Sequence, residues 1–218
     1  MTVHADESAA RDAIVATARS LFDRGLTHGS TGNLSVRLAD GTLLLTPTGA
    51  ALGTVTAAEL SRTDVRGRHL DGPRPTKEAV LHAAFYRARP CAHAVVHLHS
   101  TYAAALSVRA DLNPDDVLPP LTAYYAMRLG TLPLLPYHAP GDPALEPLAE
   151  RTARTHHAVL LANHGPVIAA PTLRQAADAA EELEETARLF FLLHGHPTRP
   201  LTAEQAAALA PGRQSTGS

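Results

Sequence analysis

The chain has no tryptophan, five tyrosines and four phenylalanines, so aromatics make up only 4% of its 218 residues. A core must therefore come from aliphatic side chains, and the 45% hydrophobic content supplies them. The single cysteine, Cys91, excludes an intrachain disulfide framework, and a chain of this length needs neither disulfides nor a structural metal to bury a continuous core. Excess charge of one sign is lacking too: 19 Lys plus Arg face 21 Asp plus Glu, with no basic block suited to a phosphate backbone. Nucleic acid is not an expected partner. No apolar run reaches the roughly 18 residues of a bilayer-spanning helix, and no basic segment followed by an apolar stretch and a cleavage site opens the sequence. The expectation is a single domain over residues 1–218, in the cytoplasm and independent of membranes.

Against these scarcities stand 13 histidines. The pattern along the chain shows which of them share a spacing that chemistry needs. Ala5 to Arg24 reads as an amphipathic helix stopped by Gly25, followed by a small-residue loop, Gly29 to Asn33. Leu34 to Leu38 alternates as a strand and Thr42 to Thr46 is a second, around an Asp40-Gly41 turn and closed by Pro47-Thr48-Gly49. Residues 50–75 mix short strand-like pieces with turns, and a helix begins at Thr76 and is bounded by Pro90. Ala94 to His99 has the length and β-branching of a buried strand, and Thr101 to Val108 returns as a helix. Residues 111–143 are Pro-rich and irregular, with a strand over Leu132 to Tyr137. Ala158 to Ala162 is a further strand, running into Asn163-His164-Gly165-Pro166. Thr172 and Gln175 match a capping box that opens a long helix ending near Gly195, and Thr202 and Gln205 repeat the signature before a frayed tail over 211–218. Strands and helices interleave without a βαβ rhythm, which predicts a mixed sheet flanked by helices.

His97 and His99 are two apart in a strand, so their side chains leave one face with Cα atoms about 7 Å apart. Such a pair can converge on one ion or simply share a half-exposed face. His164, at the end of a second apolar strand, adds a third imidazole; three imidazoles suit zinc and leave positions open for substrate. Glu78 falls at a helix N-terminus, where it can complement the helix dipole or, beside a metal, move protons at a carbon next to a polarised carbonyl. His82, one turn later, reads as a packing or hydrogen-bonding residue. Gly32-Asn33 and Thr48-Gly49 can each form a backbone nest for an anion or serve a hairpin, and Lys77 can add a cation to such a pocket.

Taken in order, Gly32-Asn33-Leu34-Ser35-Val36-Arg37, Thr46-Pro47-Thr48-Gly49, Glu78, the pair in Val95-Val96-His97-Leu98-His99, and Asn163-His164-Gly165 resemble the class II aldolase and adducin family over residues 10 to 195. The resemblance implies an α/β fold, three-layered as α/β/α around a central, mostly antiparallel mixed sheet. It implies a homotetramer with active sites between subunits. Carried over residue by residue, it makes His97, His99 and His164 ligands of Zn2+, with Mn2+ or Co2+ as substitutes. Gly32, Asn33, Thr48 and Gly49 bind substrate phosphate, and Glu78 is the acid/base. Tyr124, with Tyr125 close behind, is the tyrosine that a neighbouring subunit contributes to proton transfer.

One departure narrows the reading. Two serines precede the glutamate in the fuculose-phosphate type of aldolase, whereas Thr76 and Lys77 stand here. Thr76 keeps a hydroxyl, and Lys77 brings a cation for phosphate or a substrate carboxylate. With His28 to Asn33 and Pro119 to Tyr125, this resembles the branch that decarboxylates 3-oxo-tetronate 4-phosphate to dihydroxyacetone phosphate and CO2 through a metal-stabilised enediolate. A fuculose-phosphate type of aldolase passes through the same enediolate and is the alternative. The family's 4-epimerases rank third, their acid/base pattern departing from Glu78. A non-catalytic, adducin-like interaction module comes last.

Overall fold

The computed structural model describes residues 6–210, and within them lies an eight-stranded sheet of order β4-β3-β2-β1-β5-β8-β7-β6. Its strands are β1 (Asn33–Arg37), β2 (Leu43–Leu45), β3 (Ser61–Thr63), β4 (His69–Asp71), β5 (Ala94–His97), β6 (Leu134–Leu135), β7 (Ala158–Leu161) and β8 (Pro166–Ala170). Only β6 and β7 pair in parallel; every other neighbour runs antiparallel. The expected mixed, mostly antiparallel sheet is therefore present.

The alternation along the central strands explains the layers. Val96 and Ile168 lie in one apolar cluster with Leu34, whereas their chain neighbours Val95, Val167 and Ala169 lie in another with Leu43 and Leu45. Successive side chains point to opposite faces, so both faces must be covered. On the first face lie α1 (Glu7–Asp23), α3 (Thr101–Ser107), α4 (Ala123–Arg128) and α6 (Leu173–Leu192), contributing Ile14, Leu106, Tyr125 and Leu183. On the second lie α2 (Ala79–Ala88) and α5 (Leu145–Ala153), contributing Phe85 and Ala149. Each fully buried leucine or isoleucine contributes roughly 1.5–3 kcal/mol. The last helix, α7 (Ala203–Leu209), contacts α4. No helix among the described residues is long and apolar enough to cross a membrane.

Several elements differ from the sequence expectation. The first helix is described from Glu7, so its expected start at Ala5 lies outside the described residues, as does the tail over 211–218. Thr76 does not begin a helix: its N–H donates to the Thr46 carbonyl at 3.3 Å and its hydroxyl accepts from the Glu78 N–H at 3.3 Å, so α2 opens only at Ala79 with Glu78 as N-cap. The strand expected to reach His99 ends at His97. The strand expected over Leu132 to Tyr137 shortens to Leu134–Leu135. The stretch 111–143 read as irregular also contains α4, whose Thr122 cap accepts from the Tyr125 N–H, and α5 follows. The Thr202/Gln205 capping box is complete. At Thr172 only half of one forms, because the Gln175 side-chain oxygen accepts from the Thr172 hydroxyl at 3.0 Å.

Candidate active site

The register of β5 assembles the site. His97, its last residue, sits opposite Asn33 of β1 and Val167 of β8. From that point Leu98 and His99 continue toward α3, and the turn between β7 and β8 brings His164 back to them. Gly165 makes this approach possible: a Cβ there would lie 2.2 Å from the Leu98 carbonyl oxygen. Gly32, with φ of 78°, tucks in the same way beneath β5, where a Cβ would meet the His97 carbonyl oxygen at 3.0 Å.

The three imidazoles converge through Nε2. Their separations are 3.0 Å for His97–His99, 3.3 Å for His97–His164 and 2.9 Å for His99–His164. Two ligands about 2.1 Å from one ion and 90–110° apart lie roughly 3.0–3.4 Å from each other, so the set fits a single cation. His97 Nδ1 donates to the Pro166 carbonyl at 2.8 Å, which fixes the tautomer and turns the Nε2 lone pair inward. Burial, then neighbouring His97, lower the His99 pKa to about 3 and the His164 pKa to about 4, so both are neutral and ligand-competent at pH 7.

Glu78 completes the cluster. Its Oε2 lies 3.3 Å from His97 Nε2 and its Oε1 3.5 Å from His164 Nε2. The carboxylate is thus turned away from capping α2 and toward the histidines. Burial pushes its pKa up, but His97, the Asn33 amide and His164 outweigh that and hold it at about 2.

Of the residues expected to hold phosphate, Thr48, Gly49, Thr76 and Lys77 line two pockets that Gly32 and Asn33 do not. Thr48 and Gly49 line a pocket with Arg74, and Thr76 and Lys77 line a neighbouring one, again with Arg74. The two are tied together by the Thr48 N–H donating to the Arg74 carbonyl at 3.0 Å. Arg74 had no signal in the sequence beyond being one basic residue in a Pro-rich segment. Asn33 is more engaged than a free nest residue, since one amide hydrogen donates to Glu78 at 2.8 Å. Ser35 and Tyr86, which the sequence did not single out, reach the site through His82. Their partners are 47 and 51 residues away, so no local pattern could reveal them.

Tyr124 is not among the residues gathered at the histidines. It is 60% exposed on α4, with the Arg128 guanidinium 5.7 Å from its ring centroid. Tyr125 is fully buried, and burial pushes its hydroxyl pKa up. A side chain enclosed in its own core cannot be lent to a neighbour, so of the two only Tyr124 suits an intersubunit role.

The sequence profile of the Class II Aldolase and Adducin N-terminal domain matches residues 12–191. The chain belongs to the class II aldolase and adducin family. It is 47% identical over 194 residues to a 3-oxo-tetronate 4-phosphate decarboxylase of Haemophilus influenzae, covering 89% of this chain and 92% of that protein. An L-fuculose phosphate aldolase of Escherichia coli K12 is more distant, 33% identical over 82% of this chain and 80% of its own. Among solved structures, YgbL from Klebsiella pneumoniae superposes with a TM-score of 0.91 at 44% identity, covering 94% of this chain and 99% of that one. The fold is that of the class II aldolases.

Proposed function

We propose that this protein is a cytoplasmic carbon-carbon lyase that decarboxylates 3-oxo-tetronate 4-phosphate to dihydroxyacetone phosphate and CO2. In this reading a zinc ion sits on His97, His99 and His164, and the active sites of a homotetramer each receive a Tyr124 from the neighbouring subunit. What carries the choice of reaction is the higher similarity, over a larger share of both chains, to a named decarboxylase than to a named fuculose phosphate aldolase.

Loss of CO2 from a 3-oxo acid leaves an electron pair on the carbon between carboxylate and ketone. A divalent ion in the three-imidazole set would supply a Lewis acid for the charge that develops on the ketone oxygen. The chain's own groups do the rest. Glu78, buried beside the imidazoles, meets the substrate ionised and is placed to deliver to C2 a proton it has first taken from solvent. The exposed Tyr124 suits a second proton donor reaching into a partner's site. The Thr48-Gly49 and Thr76-Lys77 pockets, Gly32 and the remaining amide hydrogen of Asn33 would hold the phosphate and so orient the bond that breaks. The burial of Glu78 among three converging histidines favours catalysis over an adducin-like binding role.

The test is to supply 3-oxo-tetronate 4-phosphate and, separately, fuculose 1-phosphate. CO2 and dihydroxyacetone phosphate from the first, with no aldehyde from the second, is the expected result. Aldehyde release without CO2 would make the protein an aldolase.

A further inference from the structure

A file of hydrogen bonds runs through the interior from Tyr86 to Glu78. Tyr86 Oη lies 2.8 Å from Ser35 Oγ, Ser35 Oγ lies 2.7 Å from His82 Nδ1, and His82 Nε2 lies 2.6 Å from Asn33 Oδ1. Asn33 Nδ2 then donates to Glu78 Oε2 at 2.8 Å. All five side chains are buried, with His82 and Ser35 at 0% exposure.

The end of the file dictates the protons along it. An ionised carboxylate only accepts, so Asn33 presents its nitrogen to Glu78 and its oxygen to His82. That oxygen requires a hydrogen on His82 Nε2, which leaves Nδ1 of the neutral ring as an acceptor for the Ser35 hydroxyl. Ser35 Oγ in turn accepts from Tyr86. Burial supports the neutral ring, lowering the His82 pKa to about 3. Reversing any one bond sets two acceptors or two donors face to face in a dry interior, which costs roughly 1–3 kcal/mol.

We infer that His82, held in its Nε2–H tautomer by Ser35 and Tyr86, is a positioning residue that locks the Asn33 amide with its nitrogen toward Glu78. The lock fixes the carboxylate at the three histidines. A ring free to change tautomer would let the amide turn over, placing its oxygen against the carboxylate. The inference rests on the reading of Glu78 as the acid/base.

The experiment compares the full-length, zinc-loaded protein with H82L, H82Q, S35A and E78Q, following kcat and KM for CO2 release, bound zinc and Tm. H82L removes the donor to Asn33, and H82Q restores an N–H close to Nε2. The expected result is that kcat falls about 10- to 100-fold in H82L and about 3- to 10-fold in S35A, with KM and bound zinc within about twofold of wild type, and that H82Q recovers most of the loss. A purely structural role would lower Tm without this split between kcat and KM and without rescue. Wild-type kcat in folded H82L, or H82Q as impaired as H82L, overturns the lock. If H82L does not fold, S35A decides, and wild-type kcat there overturns it. E78Q keeps the two failures apart: wild-type kcat in E78Q removes the role of Glu78 and the lock with it, whereas an inactive E78Q beside a fully active S35A and H82L removes the lock alone.

Discussion

Asn33 and Glu78, 45 residues apart in the chain, are joined by a buried 2.8 Å hydrogen bond from amide to carboxylate. Asn33 is in turn registered opposite His97 in the sheet. One residue therefore links the strand that carries His97 to the turn that carries the carboxylate, and the proposed acid/base is tied to the strand of a proposed metal ligand.

The frame separates two functions that mutation should resolve. His97→Ala removes the imidazole whose Nε2 lies within 3.3 Å of both other Nε2 atoms and is expected to lose bound metal and turnover together, by metal analysis and CO2 assay. Glu78→Gln is expected to keep the metal and lower turnover by about 10²-fold or more. An active, metal-free His97→Ala protein would contradict this assignment.

Tyr124 and Tyr125 should behave in opposite ways. The Tyr125 hydroxyl finds no hydrogen-bond partner among the described residues, so Tyr125→Phe removes a buried polar group that gains nothing, with activity unchanged and stability raised by about 1 kcal/mol. Tyr124→Phe is expected to lower kcat while Tm stays within a degree or so of wild type, as for other exposed positions. Parallel denaturation and rate measurements check both, and loss of activity in Tyr125→Phe would reverse the assignment.

Gly165→Ala places a methyl where the Leu98 carbonyl already stands. The β7–β8 turn must retreat, carrying His164 away from His99. Metal affinity should fall about 10-fold or more together with Tm, read by competition against a chelating dye and by thermal unfolding.

Acid should weaken the fold through histidines buried neutral. Burial lowers the His157 pKa, and its Nε2–H donates to the Arg128 carbonyl at 2.8 Å. A histidine depressed in the native state is protonated more readily when unfolded, so its contribution is fully present above the unfolded value of about 6.5 and declines as pH falls below it. His157→Gln keeps the donor without the titration and should flatten the fall in Tm between pH 7 and pH 5. A profile parallel to wild type would contradict this.

The sequence makes part of this site legible and hides the rest for identifiable reasons. His97 and His99 are visible because a strand repeats every two residues, and His164 because a Gly-Pro turn ends an apolar strand. Glu78 is visible as a helix-start residue, although its carboxylate turns inward instead of capping. Ser35 and Tyr86 stay hidden because alternation assigns a face to Ser35 without naming what lies across it. The helices α4 and α5 escape a reading by periodicity because Pro-rich flanks mask their short period, and their stability comes from packing into the apolar clusters on the two faces of the sheet. Thr172 and Thr202 carry the same signature yet differ, since a side-chain oxygen can choose between a backbone N–H and a hydroxyl at equal spacing.

The most direct measurement is the titration of CO2 release from 3-oxo-tetronate 4-phosphate as metal is returned to chelator-stripped protein. The account predicts no release from the stripped protein and a linear rise that saturates at one ion per chain, with Glu78→Gln binding the same ion and remaining slow. Full CO2 release from the stripped protein would contradict it.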